Sequence, residues 1–419
     1  MEIRCFSIWV RQKRKGRHVS MKIAMMTNNY KPFVAGVPIS IERLVDSLRR
    51  QGHQVVVFAP SYDGQKEEDG VIRYRSLLRD VAGGFSVPDS FDPVIERSFR
   101  EGEFDLIHVH HPMMIGNMAR YLSGKYQIPL VFTYHTRYEQ YLHYVKLSAV
   151  RGIMPAYIRH FTKACDVVIA PTPQMKRYLQ AYGVSSEIKV LPTGIGKESF
   201  EPDRKKAQEI RKNIMHGRTF LFCSVSRLAK EKNIDFLIRS MKIRKEICGG
   251  DFKLLLIGEG PYRRRLEELT EKLGLTEEIV FAGKIPNDEI KDYCCASDMF
   301  LFASQSETQG IVLLEAMAAG TPVLAVKATG TEDVVINGIN GYMTDVSEKE
   351  FAEKLMDILE KKEPDILMKG AIDTARHYDV DEIGKGASAI YMDAVKIRKE
   401  KIGMKYFHRK NKRDMVYSQ

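Results

Sequence analysis

Short apolar runs, each long enough for one strand, alternate with amphipathic helical segments along most of this chain. That alternation limits the possible folds more than any other feature. The runs are Lys22–Thr27, Gln54–Ala59, Leu106–His110, Leu130–Tyr134, Val167–Ala170 and Lys189–Leu191, then Phe220–Val225, Lys253–Ile257, Ile279–Ala282, Met299–Ala303 and Val323–Val326. Nearly continuous apolar strands suit parallel sheets buried on both faces. Helical patterns lie between them, such as Ser40–Gln51 closed by Gly52, Asn233–Lys245, Tyr262–Leu273, Asn287–Ala296 and Ile311–Ala319. The spacing predicts an α/β protein with two doubly wound, Rossmann-like domains, 21–195 and 196–375. The Pro- and Gly-bearing stretch Leu191–Asp203 links them. Ligands of such sheets bind outside the carboxyl ends of the strands, so a cleft between the domains is the expected site. Residues 376–395 read as a helix returning to the first domain. No tandem repeat is visible.

Charge is placed unevenly. Residues 1–20 carry six Lys or Arg and one Glu, and residues 396–413 carry nine and one, against +11 for the whole chain. The remaining body is therefore slightly acidic, and the basic character belongs to an appendage at 1–20 and a tail at 396–419. Such ends suit an anionic surface or remain solvated and partly disordered. Six scattered cysteines with no C-x-x-C spacing point away from a disulfide framework or a zinc site and suit a reducing compartment. No apolar run approaches the ~20 residues of a membrane span.

The densest chemistry lies in Ser306-Glu307-Thr308-Gln309-Gly310-Ile311-Val312-Leu313-Leu314-Glu315. Two carboxylates flank the start of an apolar helix, whose unpaired N–H groups and dipole suit a phosphate. Carboxylates on either side of a bound phosphate could hold hydroxyls, the layout of a sugar–diphosphate–nucleoside; two solvated glutamates on an ordinary helix would look the same. Arg227 and Lys232 leave the carboxyl end of strand Phe220–Val225, where two cations could neutralise a diphosphate. Gly258-Glu259-Gly260-Pro261 also follows a strand but lacks the third glycine of a dinucleotide fingerprint.

Arg227 with Lys232, the Gly258–Pro261 turn, and Glu307 with Glu315, in that order, resemble the carboxyl-terminal domain of the GT4 family of retaining glycosyltransferases with the GT-B fold. The resemblance covers about residues 21–395. It implies that Arg227 and Lys232 hold the donor diphosphate, Glu307 the transferred sugar and Glu315 the ribose. Gln309, Gly310, Ile311 and Val312 would complete the phosphate cradle, with Gly258 beside it and the base near Gly283, Lys284 and Ile285. The first domain would take the acceptor. Its loop Asn28–Pro38 resembles the family's Gly-bearing loop, with Ala35-Gly36 where two glycines are common; Gly36 keeps a Cβ-free position. His135 is the family's histidine at the reacting centre, giving His135, Arg227, Lys232 and Glu307 as the catalytic set.

Thr133–Tyr144 carries His135, Thr136, Tyr138, Tyr141 and Tyr144 and looks like the family subset that glucosylates diacylglycerol, so His135, Thr136, Tyr138 and Tyr141 are expected to bind the acceptor. Tyrosines at this spacing are also ordinary core packing. His108-Val109-His110-His111 invites a metal reading, but no carboxylate or thiol stands nearby in sequence, and Asp379-Val380-Asp381 is poorly placed for a divalent clamp. The expectation is a metal-independent, cofactor-free transfer of a hexose from a UDP-sugar to a membrane lipid, at the cytoplasmic face of a membrane reached through the basic ends. A soluble, glycan or polyprenyl-linked acceptor stays open. Nucleic-acid binding through the tails is disfavoured, because no basic stripe crosses the body.

Overall fold

The computed structural model describes residues 20–33, 35–81, 85–138, 152–361 and 364–416. In chain order the first domain contains β1 (Lys22–Met26), β2 (Gln54–Pro60), β3 (Val71–Tyr74), β4 (Ser76–Val81), β5 (Phe85–Pro88), β6 (Leu106–Val109), β7 (Leu130–Thr133), β8 (Val167–Ala170) and β9 (Glu187–Val190). Seven form a wholly parallel sheet in the order β3-β2-β1-β6-β7-β8-β9, and β4 with β5 makes a separate antiparallel hairpin. The second domain contains β10 (Phe220–Val225), β11 (Phe252–Ile257), β12 (Ile279–Gly283), β13 (Met299–Phe302), β14 (Val323–Val326) and β15 (Gly341–Thr344), parallel in the order β12-β11-β10-β13-β14-β15.

Both faces of each sheet are covered, and the period-two alternation of strands shows how. On β1, Ala24 and Met26 enter the layer of Phe58, Phe99 and Phe132, while Ile23 and Met25 enter the layer of Ile41, Leu48 and Tyr391. On β10, Leu221 and Cys223 face one core and Phe222 the other. The five described cysteines are free.

The apolar pattern did not reveal β3, β15 or the hairpin. Edge strands need less apolar character than central ones: β3 carries Arg73, and β15 opens on a glycine. That glycine is required, because a Cβ at Gly341 would lie 2.0 Å from the Val323 carbonyl oxygen.

The chain crosses between the domains twice, side by side. The Ile195 N–H donates to the Tyr378 carbonyl at 2.7 Å, and the Val380 N–H donates to the Ile195 carbonyl at 3.2 Å. Gly194 permits this, since a Cβ there would meet the Val380 Cα at 2.6 Å. A single 37-residue helix, Val380–Val416, then packs on the first domain. Its stripe Ala387, Ile390, Tyr391 and Ala394, at i, i+3, i+4 and i+7, joins the core of β1. The helix runs on through most of the segment read from sequence as a basic tail. Two of that segment's cations do not face solvent alone: Arg398 and Lys401 pair with the fully buried carboxylate of Asp166 at 2.8 and 3.0 Å.

Candidate active site

The donor-side residues gather at the carboxyl ends of β10 and β13. After β10 the chain turns through Ser226–Leu228, and the Gly258–Gly260 loop presses on that turn. Gly258 has φ +132°, and a Cβ there would lie 2.0 Å from the Ser226 carbonyl oxygen. The Leu228 N–H donates to the Glu259 carbonyl. The role of Gly258 seen here is thus close backbone approach, which fixes the turn that carries Arg227. Arg227 pairs with Glu231 at 3.0 Å. Lys232 ends a short 3-10 turn, and its Nζ donates to Glu307 Oε1 at 2.5 Å. The Ser304 hydroxyl donates to the same oxygen at 2.9 Å. Burial works to raise the Glu307 pKa, but the Lys232 ammonium and these two hydrogen bonds outweigh it and hold the carboxyl below its ordinary range.

Gly310, at φ +69°, starts the helix Ile311–Ala318, whose N-terminus has no side-chain cap. Glu315 stands in its second turn. The loop at Gly330 backs the Glu307 turn: a Cβ at Gly330 would lie 3.0 Å from Glu307 Cβ and from the Gln309 nitrogen. Lys284 is exposed and Ile285 half-buried, both just past β12.

The opposite wall is formed by the first domain. Gly36 opens the helix Gly36–Arg50, and a Cβ there would meet nothing within 4 Å. His135 follows β7, with its ring stacked on His110 at 5.0 Å and a 2.7 Å hydrogen bond between His110 Nδ1 and His135 Nε2. His110 Nε2 faces the Met25 sulfur, which can only accept, so His110 carries its proton on Nε2 and accepts from His135 at Nδ1. His135 is left with Nδ1 as an acceptor. His108 is tied up between Tyr391 and Thr133 at 2.8 and 2.7 Å. Burial pushes His108 and His135 down to about 3 and His111 to about 4, and His110 well below its ordinary value. The histidine run is a neutral wall that orients His135, and among the described residues no three His, Cys, Asp or Glu gather as metal ligands. Asp379 instead caps the last helix by accepting from the Asp381 and Glu382 N–H groups. Thr136 is half-buried; Tyr138 is buried edge-on against Tyr134, 5.8 Å between centroids, with no hydroxyl partner among the described residues. Tyr141 and Tyr144 lie outside the described residues.

Among the contacts that join the two domains, three stand beside the donor-side residues, and none is visible from local sequence. The Thr308 hydroxyl donates to the His135 carbonyl at 2.9 Å. The Gln309 carboxamide exchanges two hydrogen bonds with the Thr193 backbone at 2.6 and 3.0 Å. Arg43 pairs with Glu315 at 2.8 Å. The Gln309 side chain is therefore engaged with the linker, leaving only its backbone for a phosphate. Arg43 sits on a helix whose pattern gave it no distinction.

Two doubly wound parallel-sheet domains meeting at a cleft are the architecture of a GT-B glycosyltransferase. The Glycosyltransferase Family 4 model matches residues 34–198, and that for Glycosyl transferases group 1 matches residues 205–376. The chain is 31% identical over 389 residues to the alpha-monoglucosyldiacylglycerol synthase of Streptococcus pneumoniae, covering 90% of this chain and 86% of that protein. It is 28% identical to the protein of the same name from Acholeplasma laidlawii, covering 92% of this chain and all of that one. Among solved structures it is similar to Anabaena Alr3699/HepE in complex with UDP and glucose, with a TM-score of 0.72 and 20% identity over 88% of this chain and 99% of that one. At that identity the likeness shows the fold alone. The chain belongs to glycosyltransferase family 4, and it is related to glycolipid synthases.

Proposed function

We propose that this glycosyltransferase moves a hexose, glucose first among candidates, from a UDP-sugar to a hydroxyl of 1,2-diacylglycerol at a membrane surface, with retention and without a metal. The observation that carries the transfer is the Lys232–Glu307 pair beside an uncapped helix N-terminus. Arg227, Lys232 and that N-terminus offer N–H groups to the diphosphate and stabilise the charge that grows as it leaves; such preorganised electrostatics are usually the largest catalytic term. Glu307 accepts from the sugar hydroxyls. No carboxylate lines the small cavity around His135 among the described residues, so a double displacement through an acceptor-side nucleophile finds no support. The acceptor oxygen attacks the anomeric carbon from the face the phosphate leaves. The new C–O bond forms as the old one breaks, and the proton passes to a leaving phosphate oxygen. Neutral His135 orients the acceptor hydroxyl. Two cations already serve the diphosphate, so turnover is expected to survive EDTA.

The names of the Streptococcus pneumoniae and Acholeplasma laidlawii relatives support the lipid acceptor. No helix among the described residues is long and apolar enough to cross a membrane, so the reading is a peripheral one. The β4–β5 hairpin grows from the carboxyl end of β3, on the cleft side. Leu77 and Leu78 on it and Phe91 beyond it are 64%, 59% and 80% exposed, apolar side chains of the kind that suit the acyl boundary of a bilayer. The basic stretches at each end of the chain would add ~1 kcal/mol per Lys or Arg near anionic lipid. The test is transfer of label from UDP-glucose into the organic phase with diacylglycerol micelles, with and without anionic lipid. Lipid label raised by anionic lipid supports the reading. UDP release without lipid label discards the acceptor, and no UDP release discards the donor.

A further inference from the structure

Arg43 and Glu315 come from opposite domains and meet across the cleft. The Arg43 side chain is 11% exposed and that of Glu315 is 17% exposed. Arg43 Nη2 donates to one carboxylate oxygen, Oε1, and its Nη1 reaches the Gly194 carbonyl of the linker at 3.5 Å. Glu315 Oε2 makes no contact with a cation or donor among the described residues. Both residues line a cavity of ≈ 270 Å³, together with Glu198, Ser199, Asn287, Asp288 and Lys291; the exposed Glu198 carboxylate stands 3.9 Å from Arg43 Nε, farther than Glu315. This volume lies just past β12, and its lining combines charged side chains with the Ser199 and Asn287 polar groups.

The chemistry of the pair constrains its use. A carboxylate this sheltered costs free energy unless partnered, and a guanidinium can satisfy one oxygen while leaving the other free to accept from hydroxyls. The linker carbonyl fixes Arg43 from behind, so the orientation of Glu315 depends on how the first domain is seated. We propose that Arg43 is a positioning residue for nucleoside recognition: reaching across from the acceptor domain, it holds Glu315 so that Oε2 accepts from the ribose hydroxyls, which makes the nucleoside site complete only when the two domains are closed. The proposal rests on the reading of Glu315 as the ribose ligand. It adds that the nucleoside half of the donor is read by both domains, while the diphosphate half is read by the second domain through Arg227, Lys232 and the helix N-terminus.

The test measures UDP and inorganic diphosphate binding by calorimetry on the full chain for wild type, Arg43→Ala, Arg43→Lys, Glu315→Gln and the Arg43→Ala/Glu315→Gln double variant. Expected is a loss of ~10-fold in UDP affinity for Arg43→Ala, with diphosphate affinity unchanged, a smaller loss for Arg43→Lys, and no further loss in the double variant beyond the larger single one. UDP affinity equal to wild type in Arg43→Ala would overturn the proposal. So would an equal loss for UDP and diphosphate, which marks general damage, or losses that add in the double variant, which mark independent action. If Arg43→Ala fails to fold, the ratio of UDP to diphosphate affinity in Arg43→Lys decides in its place: a lowered ratio supports the proposal and an unchanged one overturns it. Wild type binding diphosphate but not UDP would sink the uridine donor reading itself, an outcome distinct from any failure confined to Arg43.

Discussion

The two walls of the cleft solve opposite electrostatic problems. On the donor wall cations and carboxylates are paired: Lys232 with Glu307, and Arg227 with Glu231. On the acceptor wall the ionisable groups around the reacting centre are histidines that burial keeps neutral and that hydrogen-bond to one another or to hydroxyls. A diphosphate carries its charge into the site and leaves with more, so that wall needs fixed cations and groups that hold them in place. An acceptor hydroxyl is neutral, and a buried cation opposite it would compete with the donor cations for the same phosphate. On the proposed reading, paired charge on one side and neutral imidazole on the other separate the tasks of stabilising a leaving group and orienting a nucleophile.

The sharpest way to break this comparison is to remove a charge from the donor wall. Lys232→Ala or Glu307→Ala is expected to lower kcat by ~10³-fold with the fold intact, as loss of a preorganised electrostatic contact does. Near-normal UDP release by either variant would end the assignment. On the neutral wall, His135→Ala should cost ~10²-fold in kcat, within the range for a single proton-handling or orienting group, and leave UDP affinity unchanged. A fall in UDP affinity there would mean that the walls are not separate.

Stability sharpens the contrast next. Asp166→Ala removes the buried partner of Arg398 and Lys401 and should cost ~3 kcal/mol, as removing one side of a buried pair does. Limited proteolysis would then cut the final helix first. The histidine wall makes a prediction with a definite sign. An unfolded histidine titrates near 6.5, while folded His108 and His135 are held at about 3 and His111 at about 4. The unfolded chain therefore binds protons that the folded one does not. The stability contributed is complete above about pH 6.5 and is lost progressively as pH falls toward about 3. Urea midpoints at pH 7.5 and 5.0 should differ accordingly, and equal midpoints would show that the wall is not held neutral. The smallest effect concerns the membrane: Leu77→Asp with Leu78→Asp should weaken binding to anionic vesicles by several-fold, without changing UDP release in solution. Unchanged vesicle binding would remove the hairpin from the docking surface.

Much of the fold is legible in the sequence, because a central parallel strand must be apolar on both faces, and such runs stand out. Every run read from sequence overlaps a strand, whereas β3 and β15 did not show because edge positions relax that demand. Arg227, Lys232, Glu307 and Glu315 were legible because each sits at a fixed offset from a strand end or a helix start, and local spacing survives folding. The structure brings the first three to neighbouring strand ends and turns Glu315 toward the other domain. By sequence the basic tail suits an anionic surface or solvent, yet Arg398 and Lys401 are bound to Asp166, more than 200 positions earlier.

The sequence by itself determined which segments become buried strands and which side chains leave their carboxyl ends, because both follow from periodicity and local backbone chemistry. Only the tertiary structure decided which groups meet: His110 behind His135 within one wall, and, between the domains, Thr308 on the His135 carbonyl, Gln309 on Thr193 and Arg43 on Glu315. Those pairings join residues separated by up to 272 positions. They depend on how two independently formed sheets are seated about a double linker, and no local pattern encodes that seating.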